Sequence, residues 1–339
     1  MYGGVTISCL PENRGNSREI QVKSVVEELQ KRHDIIGRRR ELSSALVAAQ
    51  AGKHVLLEGP VGVGKTTIAL AIASQLKRKI VRIDGDERYT EQKLAGWYDP
   101  PLVLSRGYTR DSFIPGPLSQ SMHEGALLLI NELNRMPEGT QNVMLTAMDE
   151  RSILIPKYGQ VDASEGFMLI ATQNPDEYIG TSQLSEALRD RFICVNLGYQ
   201  SEEEERGIVR LRSSCSDNRI ITVAVSICRQ TRQADEIRRG SSVRGAIDLA
   251  DLYHTAHGEF EDTAGGWVEA AELSFLTKIE LHDFSLHRFR ELMKRLVKHA
   301  LDRLRQGATG DMKSPASGQD AGPDLEQPTL DDLKKKSSH

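Results

Sequence analysis

Residues 59–66 read Gly59-Pro60-Val61-Gly62-Val63-Gly64-Lys65-Thr66, and this stretch decides the fold. It fits G-x-x-x-x-G-K-[ST], the pattern of a phosphate-binding loop. His54-Val55-Leu56-Leu57-Glu58 before it is a short apolar strand pattern. Thr67-Ile68-Ala69-Leu70-Ala71-Ile72-Ala73 after it reads as a helix. The motif thus stands between a strand and a helix, the setting in which such a loop works. Its glycines let backbone N–H groups turn inward around phosphate oxygens, and the helix N-terminus adds positive potential. Lys65 is placed to reach the β- and γ-phosphates, and the Thr66 hydroxyl to ligate Mg²⁺. Residues Gly59 through Thr67 are therefore the candidate binding set for a nucleoside triphosphate.

Working outward, strand-like runs recur at His54–Glu58, Ile80–Asp84, Ala126–Ile130, Phe167–Thr172 and Phe192–Asn196, most of them separated by helical stretches. Short, nearly all-apolar strands alternating with helices imply a parallel sheet covered on both faces, an α/β fold. Glu41 to Ala51 has helical spacing at Leu42, Ala45, Leu46 and Ala49. Beyond Tyr199 the pattern changes to helices only, with helices expected at Val223–Ala234, Ser242–His254, Trp267–Leu281 and Phe289–Leu304. Ser201, followed by Glu202 to Glu205, reads as an N-cap with an acidic first turn. The expected organisation is a leader over 1–33 (partly helical), an α/β unit over 34–199, a small helical unit over 200–305 and a disordered tail over 306–339.

The chain has 339 residues, 39% of them hydrophobic, which allows two globular units. Its formal net charge of −4 sets up no global basic field of the kind that marks nucleic-acid binders. The clusters Arg38-Arg39-Arg40 and Lys77-Arg78-Lys79 read as solvated surface. Cys9, Cys194, Cys215 and Cys228 form no C-x-x-C pair or zinc spacing and are expected as reduced thiols in a cytoplasmic protein. Apolar runs such as Ala126–Ile130 are too short for a membrane span, and the N-terminus has no signal-peptide pattern.

Hydrolysis needs more than a phosphate loop. Leu127-Leu128-Leu129-Ile130-Asn131-Glu132 is a buried strand that ends in a polar–acidic pair. Such a pair emerges at the carboxyl end of the sheet, where ligands sit in open α/β folds. Glu132 is the candidate for orienting the attacking water. Asn131 occupies the position that usually carries an aspartate supporting Mg²⁺, and its amide oxygen can accept but brings no charge. Ala171-Thr172-Gln173-Asn174-Pro175 places Asn174 at the end of the next strand, where it could polarise the water or touch the γ-phosphate. Arg191, in Leu188-Arg189-Asp190-Arg191-Phe192, lies away from its own phosphate loop and could stabilise phosphoryl charge in a neighbouring subunit. His54 is expected at the surface or an edge, and His282, His287 and His299 lack metal-ligand spacing. Trp97 and Tyr98 are read as packing residues, with contact to a protein client as the alternative.

Taken in order, these motifs resemble the AAA+ ATPases, and within them the MoxR family. Gly59–Thr66 resembles Walker A and Leu127–Glu132 Walker B, while Glu132-Leu133-Asn134-Arg135 is similar to the family's Glu-Ile-Asn-Arg. Ala171–Pro175 resembles sensor 1. The segment ending Asp190-Arg191-Phe192 implies an arginine finger at Arg191, with Arg189 the other possibility. Ser241-Ser242-Val243-Arg244 is similar to sensor 2, which carries that role to Arg244. Ile35-Ile36-Gly37 resembles the segment that packs on adenine, which implies base contacts by Ile36 and Gly37. Phe113-Ile114-Pro115-Gly116-Pro117-Leu118 resembles the close of a helix-2 insertion, and Arg151–Val161 the hairpin before sensor 1. The resemblance implies a P-loop AAA+ five-stranded parallel sheet with an all-helical lid, binding ATP and Mg²⁺ through residues that include Thr66 and Asn131. Departures from the pattern are Asn131 for Asp and Val243 for Pro.

Three functions compete at this point. One is a ring-forming ATPase, a hexamer, that remodels or matures protein complexes with a separate von Willebrand factor A domain partner. The second is a nucleic-acid motor of the same branch, to which Lys157 at the hairpin turn lends a thin footprint. The third is a nucleotide-dependent scaffold with weak hydrolysis, motivated by Asn131.

Overall fold

The computed structural model describes residues 14–175, 184–256 and 264–310, with side chains over 22–175, 184–256 and 264–306. Residues 1–13 of the expected leader, Cys9 among them, and residues 311–339 of the expected tail lie outside the described residues. Helices α1 (Arg14–Arg32) and α2 (Arg39–Gln50) lead into β1 (His54–Glu58), α3 (Lys65–Leu76) and β2 (Ile80–Asp84). Next come α4 (Glu91–Ala95), β3 (Gly96–Tyr98), α5 (Pro100–Arg106), β4 (Phe113–Pro115), α6 (Pro117–Glu124), β5 (Leu127–Asn131) and α7 (Glu138–Asp149). Strands β6 (Ser152–Ile155), β7 (Gly159–Asp162), β8 (Met168–Gln173) and β9 (Phe192–Asn196) follow, with α8 (Glu186–Asp190) before the last. The remainder is α9 (Glu202–Arg212), α10 (Asn218–Gln230), β10 (Ile237–Arg239), α11 (Val243–Thr255), α12 (Ala264–Phe275), β11 (Glu280–Leu281) and α13 (Leu286–Gly310).

The main sheet has five parallel strands in the order β2-β5-β8-β1-β9. Its fold is the expected one, a helix-covered parallel sheet followed by a helical lid. The apolar runs explain it. Along β5, Leu127 and Leu129 enter the core shared with α1, α2 and α3, whereas Leu128 and Ile130 enter the core shared with α4, α6 and α7. Met168 and Ile170 of β8 part from Leu169 and Ala171 in the same way. This period of two on a strand apolar at every position is the signature of a sheet buried on both faces. Edge strands β2 and β9 are only partly buried, as befits strands with a neighbour on one side.

A separate core fills the lid, drawing on α9 to α13, with Trp267 stacked on Tyr253 (centroids 3.7 Å apart). The capping box is present: the Ser201 hydroxyl accepts from the Glu204 N–H at 3.2 Å and the Glu204 carboxylate from the Ser201 N–H at 3.0 Å. Glu205 is buried, with Arg229 at 2.9 Å and Arg232 at 2.6 Å from its carboxylate oxygens.

Three sequence expectations are corrected. The lid is not made of helices only, because β10 and β11 form a small antiparallel ribbon, and the helix expected over Trp267–Leu281 stops at Phe275. Strands this short bury little beyond Leu281 and leave no readable period. His54 is not a surface or edge residue. It sits between β8 and β9, its Nδ1 accepts from the Leu169 N–H at 2.9 Å, and burial drives its pKa down to about 4. Arg38 is not solvated: it is buried, with an ion pair to Glu41 at 2.8 Å. Its neighbour Arg39 is exposed and pairs with Glu27.

Two projections stand off the sheet unit. Strands β3 and β4 pair antiparallel around α5, and β6 and β7 pair antiparallel around the turn Pro156-Lys157-Tyr158. They touch each other, with the Phe113 and Tyr158 rings 4.2 Å apart and the Lys157 Nζ 3.4 Å from the Tyr108 ring centroid. Tyr98 packs against Tyr108 and Phe113, but Trp97 is exposed.

Candidate functional site

The carboxyl ends of β1, β8 and β5 lie side by side in the sheet, and the sequence places a polar segment after each. The order β5-β8-β1 therefore brings Glu132, Asn174 and the 59–66 loop together at the carboxyl end of the sheet. Leaving β1, the chain turns through Gly59–Gly64 into α3, whose first turn faces the loop with its N–H groups. The Lys65 ammonium folds across the loop and donates to the carbonyl oxygens of Gly59 (2.6 Å) and Pro60 (2.7 Å). At Gly64, with φ of 92°, a Cβ would meet nothing within 4 Å.

Thr66 and Asn131 are joined: the Thr66 hydroxyl donates to Asn131 Oδ1 at 3.1 Å. Asn131 Nδ2 in turn donates to the Asp84 carboxylate at 2.7 Å. A hydroxyl and an amide oxygen backed by a carboxylate are hard oxygen donors, which suits Mg²⁺ rather than a thiophilic metal. Glu132 follows with a left-handed backbone (φ 54°), a conformation uncommon outside glycine. The Thr172 hydroxyl accepts from its N–H at 3.1 Å, and Arg135 forms an ion pair with its carboxylate at 2.8 Å. Asn174 is buried, and its carbonyl accepts from Asn134 Nδ2 at 3.3 Å.

Between sheet and lid lies a cavity of about 240 Å³ lined by Pro60, Val61, Asn174, Tyr199, Ser242 and Arg244, among others. It unites residues from the phosphate loop, from the end of β8 and from the start of α11. Larger hollows of about 380 and 600 Å³ lie on the lid and hold none of the motif residues. Ile36 and Gly37 do not line the 240 Å³ cavity. They press against the start of the lid, where the Ile36 carbonyl accepts from Gln200 Nε2 at 2.6 Å. Arg191 lies elsewhere, its Nε donating to Asp149 at 2.6 Å and its Nη1 to the Ala187 carbonyl. The hydrogen bond to Asp149 raises the pKa of that guanidinium.

Several residues at this site escape a reading of the sequence by motif. Arg38 donates to the carbonyls of Val63 (3.1 Å) and Gly198 (2.7 Å), tying the phosphate loop to the segment that enters the lid. Thr172 holds Glu132 and Asp84 holds Asn131, while Arg239 and Lys278 add positive charge to the cavity wall. The one local signal was the polar termination of each apolar strand, Asp84 after Ile83 and Thr172 after Ala171.

The profile of the AAA domain (dynein-related subfamily) matches residues 54–192. YojN, an uncharacterized protein of Bacillus subtilis strain 168, is 30% identical over 217 residues, which are 62% of this chain and 70% of that protein. The gas vesicle ATPase GvpN of Haloferax mediterranei is 31% identical over 216 residues, 59% of this chain and 62% of that protein, so the chain spans less than two thirds of its length. Among solved structures, the RuvB Holliday junction branch migration motor of Thermotoga maritima aligns with a TM-score of 0.46 at 21% identity, over 71% of this chain and 70% of that one.

Proposed function

Because the chain belongs to the AAA+ superfamily of P-loop ATPases, we propose that it hydrolyses ATP with Mg²⁺ in a ring of like subunits, a hexamer, in the cytoplasm. Turnover drives remodelling or maturation of a protein assembly, as in MoxR-type ATPases, with a separate von Willebrand factor A domain protein as partner. Residues 34–199 form the catalytic unit and 200–305 the lid. The observation that carries this reading is the cavity in which Pro60 and Val61, Asn174 and Arg244 converge. A loop that holds phosphates, a polar side chain beside it and a guanidinium from a second unit are what a site needs if it is to change shape when phosphate leaves.

The roles we assign rest on this placement and on the family resemblance. The backbone of Gly59–Thr67 and the Lys65 ammonium hold the phosphates, and Thr66 and Asn131 hold the metal, which neutralises phosphate charge when bound. Glu132, steadied by Thr172 and Arg135, orients the attacking water and accepts its proton. Asn174 and Arg244 sense the γ-phosphate from within the subunit, and Arg191 reaches a neighbour's site. The contacts of Ile36 and Gly37 with the base rest on the family resemblance. Lys157, the residue that kept a nucleic-acid motor in view, is engaged with Tyr108 of its own chain, which favours the protein-remodelling reading.

Glu132→Gln tests this. Turnover is expected to fall by about 10²–10⁴-fold while ATP binding persists, because a positioned proton acceptor supplies acceleration of that size. Binding of ATP with no turnover in the unmodified chain would leave the scaffold reading standing, and turnover stimulated by DNA would favour the motor.

A further inference from the structure

The missing carboxylate of the metal site has a neighbour that can stand behind it. Strands β2 and β5 pair in parallel register, with Asp84 opposite Asn131. The link is direct, Thr66 hydroxyl to Asn131 Oδ1 at 3.1 Å and Asn131 Nδ2 to Asp84 Oδ1 at 2.7 Å. Backbone contacts fix the geometry. The Gly85 N–H donates to the Asn131 carbonyl at 2.7 Å, and a Cβ at Gly85 would collide with the Glu132 carbonyl, so the two strand ends are pressed together where the side chains meet.

An asparagine at a cation site has a particular weakness. Its two ends are nearly alike in shape, and a flipped amide would turn an NH₂ toward the cation. An ionised carboxylate only accepts hydrogen bonds, so Asp84 requires the amide nitrogen on its own side. The amide oxygen must then face Thr66, which is the orientation a hard cation needs. Asp84 also brings the negative charge that Asn131 lacks, one hydrogen bond further from the site. Its remaining tie, Arg82 at 3.5 Å, is long and exposed, so little competes for that charge.

We propose that Asp84 is a positioning residue for the metal site: it orients the Asn131 amide and returns, from the adjacent strand, the charge that an aspartate would supply directly. This rests on the Mg²⁺-nucleotide reading above. The test measures affinity for a fluorescent N-methylanthraniloyl ATP in excess Mg²⁺ and in EDTA, on the full chain. The readout is the dissociation constant in EDTA divided by that in Mg²⁺. In Asp84→Ala this ratio is expected to shrink by about tenfold or more, the usual loss when a partner behind a metal ligand is removed, with the EDTA value unchanged. Asp84 is largely exposed, so the thermal midpoint without nucleotide should hold and separate this effect from misfolding. Adding Asn131→Asp to Asp84→Ala should restore the ratio, because a carboxylate then stands at the site itself. A ratio in Asp84→Ala equal to that of the unmodified chain overturns the proposal while leaving the nucleotide reading intact. Absence of probe binding by the unmodified chain overturns the nucleotide reading, and the proposal with it.

Discussion

Gly62 and Gly64 are two residues apart in the same loop, yet they hold it for different reasons. Both have positive φ, 77° and 92°, where a Cβ carries a steric cost. A Cβ at Gly64 meets open space, whereas one at Gly62 falls 2.5 Å from the Ser242 Cβ at the start of α11. Gly64→Ala is therefore expected to cost only backbone strain, about 1–2 kcal/mol. Gly62→Ala adds the displacement of the lid from the loop and should unfold at a lower temperature than Gly64→Ala when both are melted without nucleotide. Equal melting temperatures would show that the lid does not rest on Gly62. The phosphate loop and Glu132 were legible in the sequence because their signals are local, a spacing of glycines and an apolar run ending in an acid. The partners that complete them, Ser242 for Gly62 and Asp84 for Asn131, come from segments distant in the chain and were not.

At the scale of elements, strand order decided what could be read. The five main strands announced themselves by composition, but which of them lie inside the sheet depends on long-range pairing that no local window records. His54 shows the consequence. It opens β1, and a polar residue at a strand start reads as an edge, yet β8 and β9 flank it and the rings of Phe167 and Phe192 lie 6.2 and 6.3 Å away. The burial of Arg38 is hidden from a local window for the same reason, since two of the acceptors that make it tolerable, the carbonyls of Val63 and Gly198, come from other parts of the chain. Burial of His54, reinforced by Arg151, lowers its pKa from the ordinary 6.5 to about 4. The folded chain then binds fewer protons than the unfolded chain between these two values, so stability falls as pH drops through that window and levels off below it. The loss has an upper bound of about 3–4 kcal/mol. His54→Gln keeps an acceptor for the Leu169 N–H and has no charge to gain. Denaturant titrations from pH 7 to pH 4 should therefore show a flatter decline for the variant. Parallel curves would mean that the imidazole stays as easily protonated in the fold as outside it.

For the whole molecule, the question is whether one chain contains a complete site. The sheet unit and the lid have separate cores, joined where Arg38 ties Val63 to Gly198 and where Ser242 abuts Gly62. Within one subunit this suffices to gather Lys65, Thr66, Asn131, Asn174 and Arg244. It does not bring Arg191, which is anchored on Asp149 at the end of α7 and lines no part of the 240 Å³ cavity. A guanidinium held at that distance from its own loop is useful if another subunit's loop faces it, and a ring supplies that arrangement at every interface. Arg189 is the other possibility: it is exposed, with no ion pair or hydrogen bond of its side chain among the described residues. Complementation separates these cases. Lys65→Ala subunits lack the loop's cation and Arg191→Ala subunits lack the proposed finger, so each alone should be inactive if the proposal holds. Mixed in equal amounts, they should recover about a quarter of the unmodified rate if sites fire independently, because a sound loop then faces a sound finger at roughly one interface in four. No recovery with Arg191→Ala, together with recovery when Arg189→Ala takes its place, would move the finger to Arg189. No recovery with either would mean that the chemistry is completed inside a single chain, and the proposed ring would have no catalytic purpose.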